Sequence, residues 1–228
     1  MTTRFALGPD GDQDPADKSF IGGQPRIPAD EPWPACGLCG SPLTFFFQID
    51  FPARHPWEGK TLAVFACTAC AVRGSLIPPM LEGQLKQADI PEGFLTEYQS
   101  NFRLLVFDSA RSSIRWDHAG PIKFRALVSE PGTRHFVFLA GGSPVWLLED
   151  ESPRSYAGSI PMLFLLQLHE GFVFETVAGA PAQMEVAWGG KGQRASTRGG
   201  YRLFLGNAVY FFGTQDGESL VYAVTQVD

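Results

Sequence analysis

Long apolar runs are missing from this chain. Its most apolar window, Ile160 to Leu168, is far shorter than the roughly 20 residues that a membrane-spanning helix needs. No secretory leader is legible either. The opening "MTTRFALGPDGDQD" has no apolar core and soon turns acidic. These two absences predict a cytoplasmic protein with no membrane partner. Charge is scarce: Asp, Glu, Lys and Arg make up 18% of the residues, and the formal net charge is −6. That balance argues against a nucleic-acid binder working through a broad basic face, and it suits a basic protein client. Histidine is rare, and His55, His118, His135 and His169 are scattered without a spaced partner. No nucleophile–base constellation is legible among them, so no catalytic residue is assigned.

Familiar ligand loops fail on detail. The stretch "WGGKGQRASTRGGY" sets Lys191, Arg194 and Arg198 among glycines but lacks the phosphate-loop spacing, and it reads as a mobile hairpin loop, with contact to an anionic ligand as the alternative. The acidic run Asp10 to Asp17 has Pro15 where a calcium loop needs its turn glycine, and Ile21 where it needs a bidentate glutamate.

Phenylalanine, glycine and proline are plentiful, at 19, 25 and 18 residues, and short apolar runs end at Gly or Pro. This pattern favours strands over helices. Strands are expected over 43–51, 61–67, 102–108, 112–117, 122–129, 134–140, 161–168, 171–177, 201–205, 208–213 and 219–226. Helix is expected only around 80–89 and 92–100. The predicted class is α+β, predominantly β.

The chain also resembles itself. Shifted by 119 residues, Gly22 to Asp50 aligns without a gap on Gly141 to His169. Gly22, Gly23, Pro25, Pro34, Pro42, Phe45 and Gln48 fall on Gly141, Gly142, Pro144, Pro153, Pro161, Phe164 and Gln167. Random pairing would give roughly two such identities in a stretch of this length. "RFAL" near Arg4 and "KFRAL" near Lys123 precede the two Gly-Gly-x-Pro turns. We expect two tandem degenerate copies, 1–118 and 119–228, packed as one body because each is near the lower limit of domain size.

Cys36-x-x-Cys39 and Cys67-x-x-Cys70 bracket a predicted hairpin whose return path brings the second pair beside the first. Four thiolates at this spacing favour one tetrahedral zinc ion, ahead of redox pairs or disulfides, and make the hairpin zinc-ribbon-like. Ser155 and Gly158 stand where the second copy would need Cys36 and Cys39, so a single structural zinc is expected. A closed four-sulfur site leaves no position for substrate. Gln48 and Gln167 interrupt apolar strands at matching positions. A buried amide must find partners. Each either satisfies backbone groups or lines a pocket, which makes both candidate ligand-binding residues.

The stretch "IGGQPRIP…WPACGLCGSPLTFFFQIDF…KTLAVFACTAC" resembles the N-terminal region of the programmed cell death protein 2 family. It also resembles the bacterial YwqG-like proteins of unknown function. The likeness covers residues 21–70, with a looser match in "GNAVYFFGTQDGESLVYAVTQ". The cysteine pairs match the first group, and Gln-Ile-Asp matches the second. The eukaryotic members are regarded as zinc-containing chaperones for a ribosomal protein, so the resemblance implies protein binding without catalysis. The expected function is a non-catalytic, zinc-containing interaction module, chaperone-like or an immunity- or antagonist-type binder of a protein or peptide. An enzyme or small-ligand binder using a cleft between the copies is the alternative.

Overall fold

The computed structural model describes residues 2–118, 120–129 and 136–228. It is mostly β, dominated by one twelve-strand sheet, with a single four-residue α-helix among the described residues. The first half contributes β1 (Thr3–Leu7), β2 (Phe20–Ile21), β3 (Arg26–Pro28), β4 (Thr44–Asp50), β5 (Lys60–Ala66), β6 (Asp89–Ile90), β7 (Phe102–Asp108) and β8 (Ser112–Ile114). The second contributes β9 (Arg125–Ser129), β10 (Phe138–Ala140), β11 (Ser155–Tyr156), β12 (Ile160–Leu168), β13 (Met184–Val186), β14 (Gln193–Ala195), β15 (Ala208–Thr214) and β16 (Val221–Gln226). Ten strands run in the order β16-β15-β12-β10-β1-β9-β2-β4-β5-β7. The short strands β11 and β6 attach beside β12, while β3–β8 and β13–β14 form separate two-strand pieces.

The order is symmetric about the β1–β9 pair, which is antiparallel with Ala6 opposite Val128. One arm leads through β2 to β7 and the other through β10 to β16. Among the described residues β1 pairs only with β9 and β10, and β2 pairs with β9 as well as β4, so each arm begins on a strand from the other half. Details repeat 119 residues apart. Phe20 and Ile21 lie opposite Gln48 and Phe47; Leu139 and Ala140 lie opposite Gln167 and Leu166. The β4–β5 register slips between Phe45 and Phe47, and the β12–β15 register slips between Phe164 and Leu166. Gly22 N–H donates to Phe46 O and Gly141 N–H to Leu165 O, both at 2.9 Å. Gly22 has φ +58°, and a Cβ there would lie 2.5 Å from the Ile122 carbonyl oxygen. Left-handed backbone and close approach together require glycine at this turn.

The arms face each other across one aromatic core. The bulge in β4 lets consecutive Phe46 and Phe47 both point inward. The Phe47 ring centroid lies 4.6 Å from that of Phe138 and 6.1 Å from that of Phe211. β5 divides by its period of two: Leu62, Val64 and Ala66 enter this core, while Ala63 and Phe65 enter a second, smaller one on the other face. Two side chains of the first half close the seam. Trp57 Nε1 donates to Thr214 O at 3.1 Å. Tyr98 Oη donates to Val221 O at 2.7 Å and accepts from Ala223 N at 3.1 Å, so it occupies the free edge of β16.

The expected strands over 43–51, 61–67, 102–108, 161–168, 208–213 and 219–226 are present with ends shifted by two residues at most. Those over 112–117, 122–129 and 134–140 are shorter, and 134–135 lie outside the described residues. Residues 171–177 and 201–205 form no strand; they meet only through the Phe174–Tyr201 bridge. No helix forms over 80–89, where Gly83 and Gln87 take φ +84° and +61°. The helix expected at 92–100 shrinks to Phe94–Glu97, and the left-handed Gly93, at φ +83°, bars it from starting earlier.

Candidate metal centre

The hairpin of β4 and β5 brings the cysteines together. Thr44 is opposite Ala66 at its end, so the chain entering β4 and the chain leaving β5 lie side by side. The first knuckle is held by backbone bonds from Cys36 N to Ser41 O and from Gly40 N to Cys36 O, each 2.8 Å, with Gly40 at φ +74°. Residues just before β7 brace both knuckles: Gly37 N donates to Ser100 O at 2.7 Å and Cys67 N to Asn101 O at 2.8 Å.

The four sulfurs all lie within 4.8 Å of one another, and the four cysteines are free thiols. Cys36 to Cys70 is 3.9 Å, Cys39 to Cys67 is 3.8 Å, and Cys67 to Cys70 is 3.4 Å. A tetrahedron with metal–sulfur bonds of about 2.3 Å has edges of about 3.8 Å. The cluster therefore has the size needed to hold a metal ion. Cys36 and Cys70 belong to the smaller core with Phe20, Phe45 and Phe65, so the site pins the knuckles onto that core. The Ser41 hydroxyl beside the exposed Cys39 holds its thiol down at about 6. Burial pushes Cys67 up to about 11 and raises Cys70 as well. Buried thiols resist becoming a group of anions unless a cation replaces the protons.

The second half folds the matching turn around a carboxylate. Ser155 Oγ donates to Asp89 Oδ1 at 2.6 Å, and Gly158 N donates to the same carboxylate at 3.0 and 3.1 Å. Asp89 comes from the first half, on β6, which pairs in parallel with β11.

Gln48 and Gln167 are buried, and both are spent on backbone. Gln48 Oε1 accepts from Arg26 N and its Nε2 donates to Lys18 O, each 2.8 Å. Gln167 Oε1 accepts from Val145 N at 2.9 Å and its Nε2 donates to Val145 O at 2.8 Å. Residues 26 and 145 are again 119 apart. The histidines are dispersed. Buried His55 accepts from Trp57 N through Nδ1 at 3.0 Å, and His118 stacks on Trp33 at 3.8 Å. His169 lies edge-on to Phe136. His135 lies outside the described residues.

A cavity of about 80 Å³ opens beside Cys67 and Cys70. Phe46, Ala66 and Asn101 line it from the first half. Gln183, Met184, Arg198, Arg202 and Leu205 line it from the second. The β13–β14 hairpin seals one side, with Met184 N donating to Thr68 O and Ala71 N to Gln193 Oε1, each 2.9 Å. The cluster of cations in "WGGKGQRASTRGGY" signals this wall in the sequence; nothing local shows that it meets the cysteines. No helix among the described residues is long and apolar enough to cross a membrane. Neither family models nor curated proteins yield a match to this chain.

Proposed function

We propose that this chain is a tandemly duplicated, zinc-stapled module that binds an extended segment of a protein partner in the cleft between its halves, without catalysis. The metal assignment rests on sulfur separations near the tetrahedral edge of zinc and on four ligands, which leave no open coordination position. The duplication is supported by the matching bulges, Gly-Gly turns and glutamine bonds at a constant offset. Chaperone-like or antagonist-type binding fits such a scaffold.

The observation that carries the binding reading is the cavity beside the cysteines. It joins both halves, it has an apolar floor of Phe46 and Ala66, and none of the described histidines lines it. Its volume of about 80 Å³ is well below the roughly 300 Å³ at which pockets enclose whole small ligands. A protruding group of a longer chain suits it better. The test is to pan a displayed peptide library against the zinc-loaded full chain and map selected peptides by photo-crosslinking. Crosslinks at Met184, Arg202 or Leu205 are expected. Crosslinks confined elsewhere, or turnover of a substrate that is lost on changing Glu185 alone, would refute the reading.

A further inference from the structure

Two arginines in this cleft meet no anion among the described residues. Arg198 and Arg202 both line the cavity, and neither side chain forms an ion pair or hydrogen bond among the described residues. The backbone of Arg202 is fixed: its N–H donates to Gln183 Oε1 at 2.8 Å, and its carbonyl accepts from Gln183 Nε2 at 2.9 Å. Among the described residues, the one acid on the cavity wall is Glu185, and it is already engaged. Its Oε1 accepts from Arg194 Nε at 2.9 Å and Nη2 at 2.8 Å. In a chain of net charge −6, an uncompensated cationic pair at one cleft runs against the background.

The adjoining backbone supplies a second, independent sign. Phe204 and Leu205 are consecutive non-glycine residues at φ +46° and +67°. Both lie in the left-handed region that residues with a side chain seldom adopt. Such outliers gather at ligand sites, where surrounding structure holds them. Here the turn buries Phe204 in the core and leaves Leu205 54% exposed at the cavity mouth. An apolar lip beside two free guanidiniums suits a group with an aliphatic stem and an anionic end.

We propose that Arg198 and Arg202 receive a carboxylate of the bound peptide, so that the cleft selects acidic segments. Guanidinium pairs carboxylate through two parallel hydrogen bonds. The local charge thus favours an acidic client where the net charge alone suggests a basic one. The carboxylate is either an Asp or Glu side chain or a peptide C-terminus. This inference rests on the peptide-binding reading.

The experiment measures fluorescence anisotropy with zinc-loaded full chain and labelled peptides of alternating Leu and Glu. One set is amidated at the C-terminus, one carries Gln for Glu with the terminus amidated, and one carries Gln for Glu with a free terminus. Binding by the first set alone assigns a side-chain carboxylate, and binding by the third without the first assigns the terminus. In either case Arg198→Ala and Arg202→Ala should each weaken binding about tenfold or more. Arg202→Lys should recover part of the loss, and Lys191→Ala should change it less than twofold. Equal binding of all three sets, tighter binding of a single-stranded oligonucleotide, or arginine variants that bind normally would overturn the inference. Failure of all three sets would overturn it too. Peptides from the display library that crosslink to Met184 or Leu205 but carry no acid would overturn the carboxylate alone. An absence of any cleft-bound peptide would overturn the binding reading beneath it.

Discussion

Replacing Gln48 by leucine keeps most of the side chain's bulk and removes both of its polar atoms. Gln48 is 1% exposed and bridges the Arg26 N–H and the Lys18 carbonyl. A buried backbone group left without a partner costs about 1–3 kcal/mol, and less where water can reach it. Arg26 is half-buried and Lys18 exposed, so the lost N–H partner dominates and the total comes to about 3 kcal/mol. Gln167→Leu looks identical in sequence but differs in its surroundings. Val145 is 59% exposed, and its carbonyl keeps the Tyr210 hydroxyl at 3.2 Å. That loss should be about 1 kcal/mol. Urea unfolding at neutral pH measures both, through midpoints compared at unchanged slope. In thermal unfolding, Gln48→Leu should lower Tm by roughly 6–12 °C for a chain of this size. Equal losses for the two variants, or a Gln48→Leu loss below about 0.5 kcal/mol, would refute the claim that these amides act by satisfying backbone.

Elemental analysis should find about one zinc per chain, and Cys36→Ser should destabilise more than Cys39→Ser because Cys36 is 2% exposed within the smaller core whereas Cys39 is on the surface. Fully folded, metal-free wild-type protein would end that assignment. Gly213→Ala should cost about 1–3 kcal/mol in denaturant titration, since the new Cβ would lie 2.7 Å from Leu165 Cδ1 and 2.8 Å from Trp57 Cη2. Burial holds His55 down at about 4, so above its unfolded value of 6.5 it is neutral in both states and its contribution is complete. As pH falls from 6.5 towards 4 the unfolded chain takes the proton first, and about 3 kcal/mol of stability should be lost. Urea midpoints at pH 7 and pH 4.5 measure this loss, and His55→Gln should flatten the difference.

The long strands were legible because their apolar runs are bounded by Gly and Pro, and the cysteine cluster because a hairpin of that length must return its second pair to its first. The short strands were not. β2, β6 and β11 have two residues each, too few to show any period, and they exist because neighbouring strands present free edges. The expected helix at 80–89 failed at Gly83 and Gln87, where left-handed backbone wins over helix-forming neighbours. The cleft was hidden for another reason: its walls come from residues near 67 and near 198, and only tertiary packing joins them. Asp89 was equally invisible. Sequence shows that the second half lacks cysteines, but the carboxylate that gathers Ser155 and Gly158 is supplied from a segment with no counterpart in the motif.

The exchange of leading strands has a consequence for how the chain is made. β2 closes only when β9 arrives, roughly 100 residues later, and β1 has no partner at all until β9 and β10 exist. At a synthesis rate of about 5–20 residues per second, on the order of 5–20 s separate the making of β2 from that of β9, and through that interval β2 has an open edge and β1 is idle. Two nascent chains on one message could satisfy each other's strands in that interval, so intermolecular exchange competes with correct closure from the start. Cutting the gene at the midpoint would give two fragments that each present an unpaired strand edge, and those fragments should recover the fold on mixing.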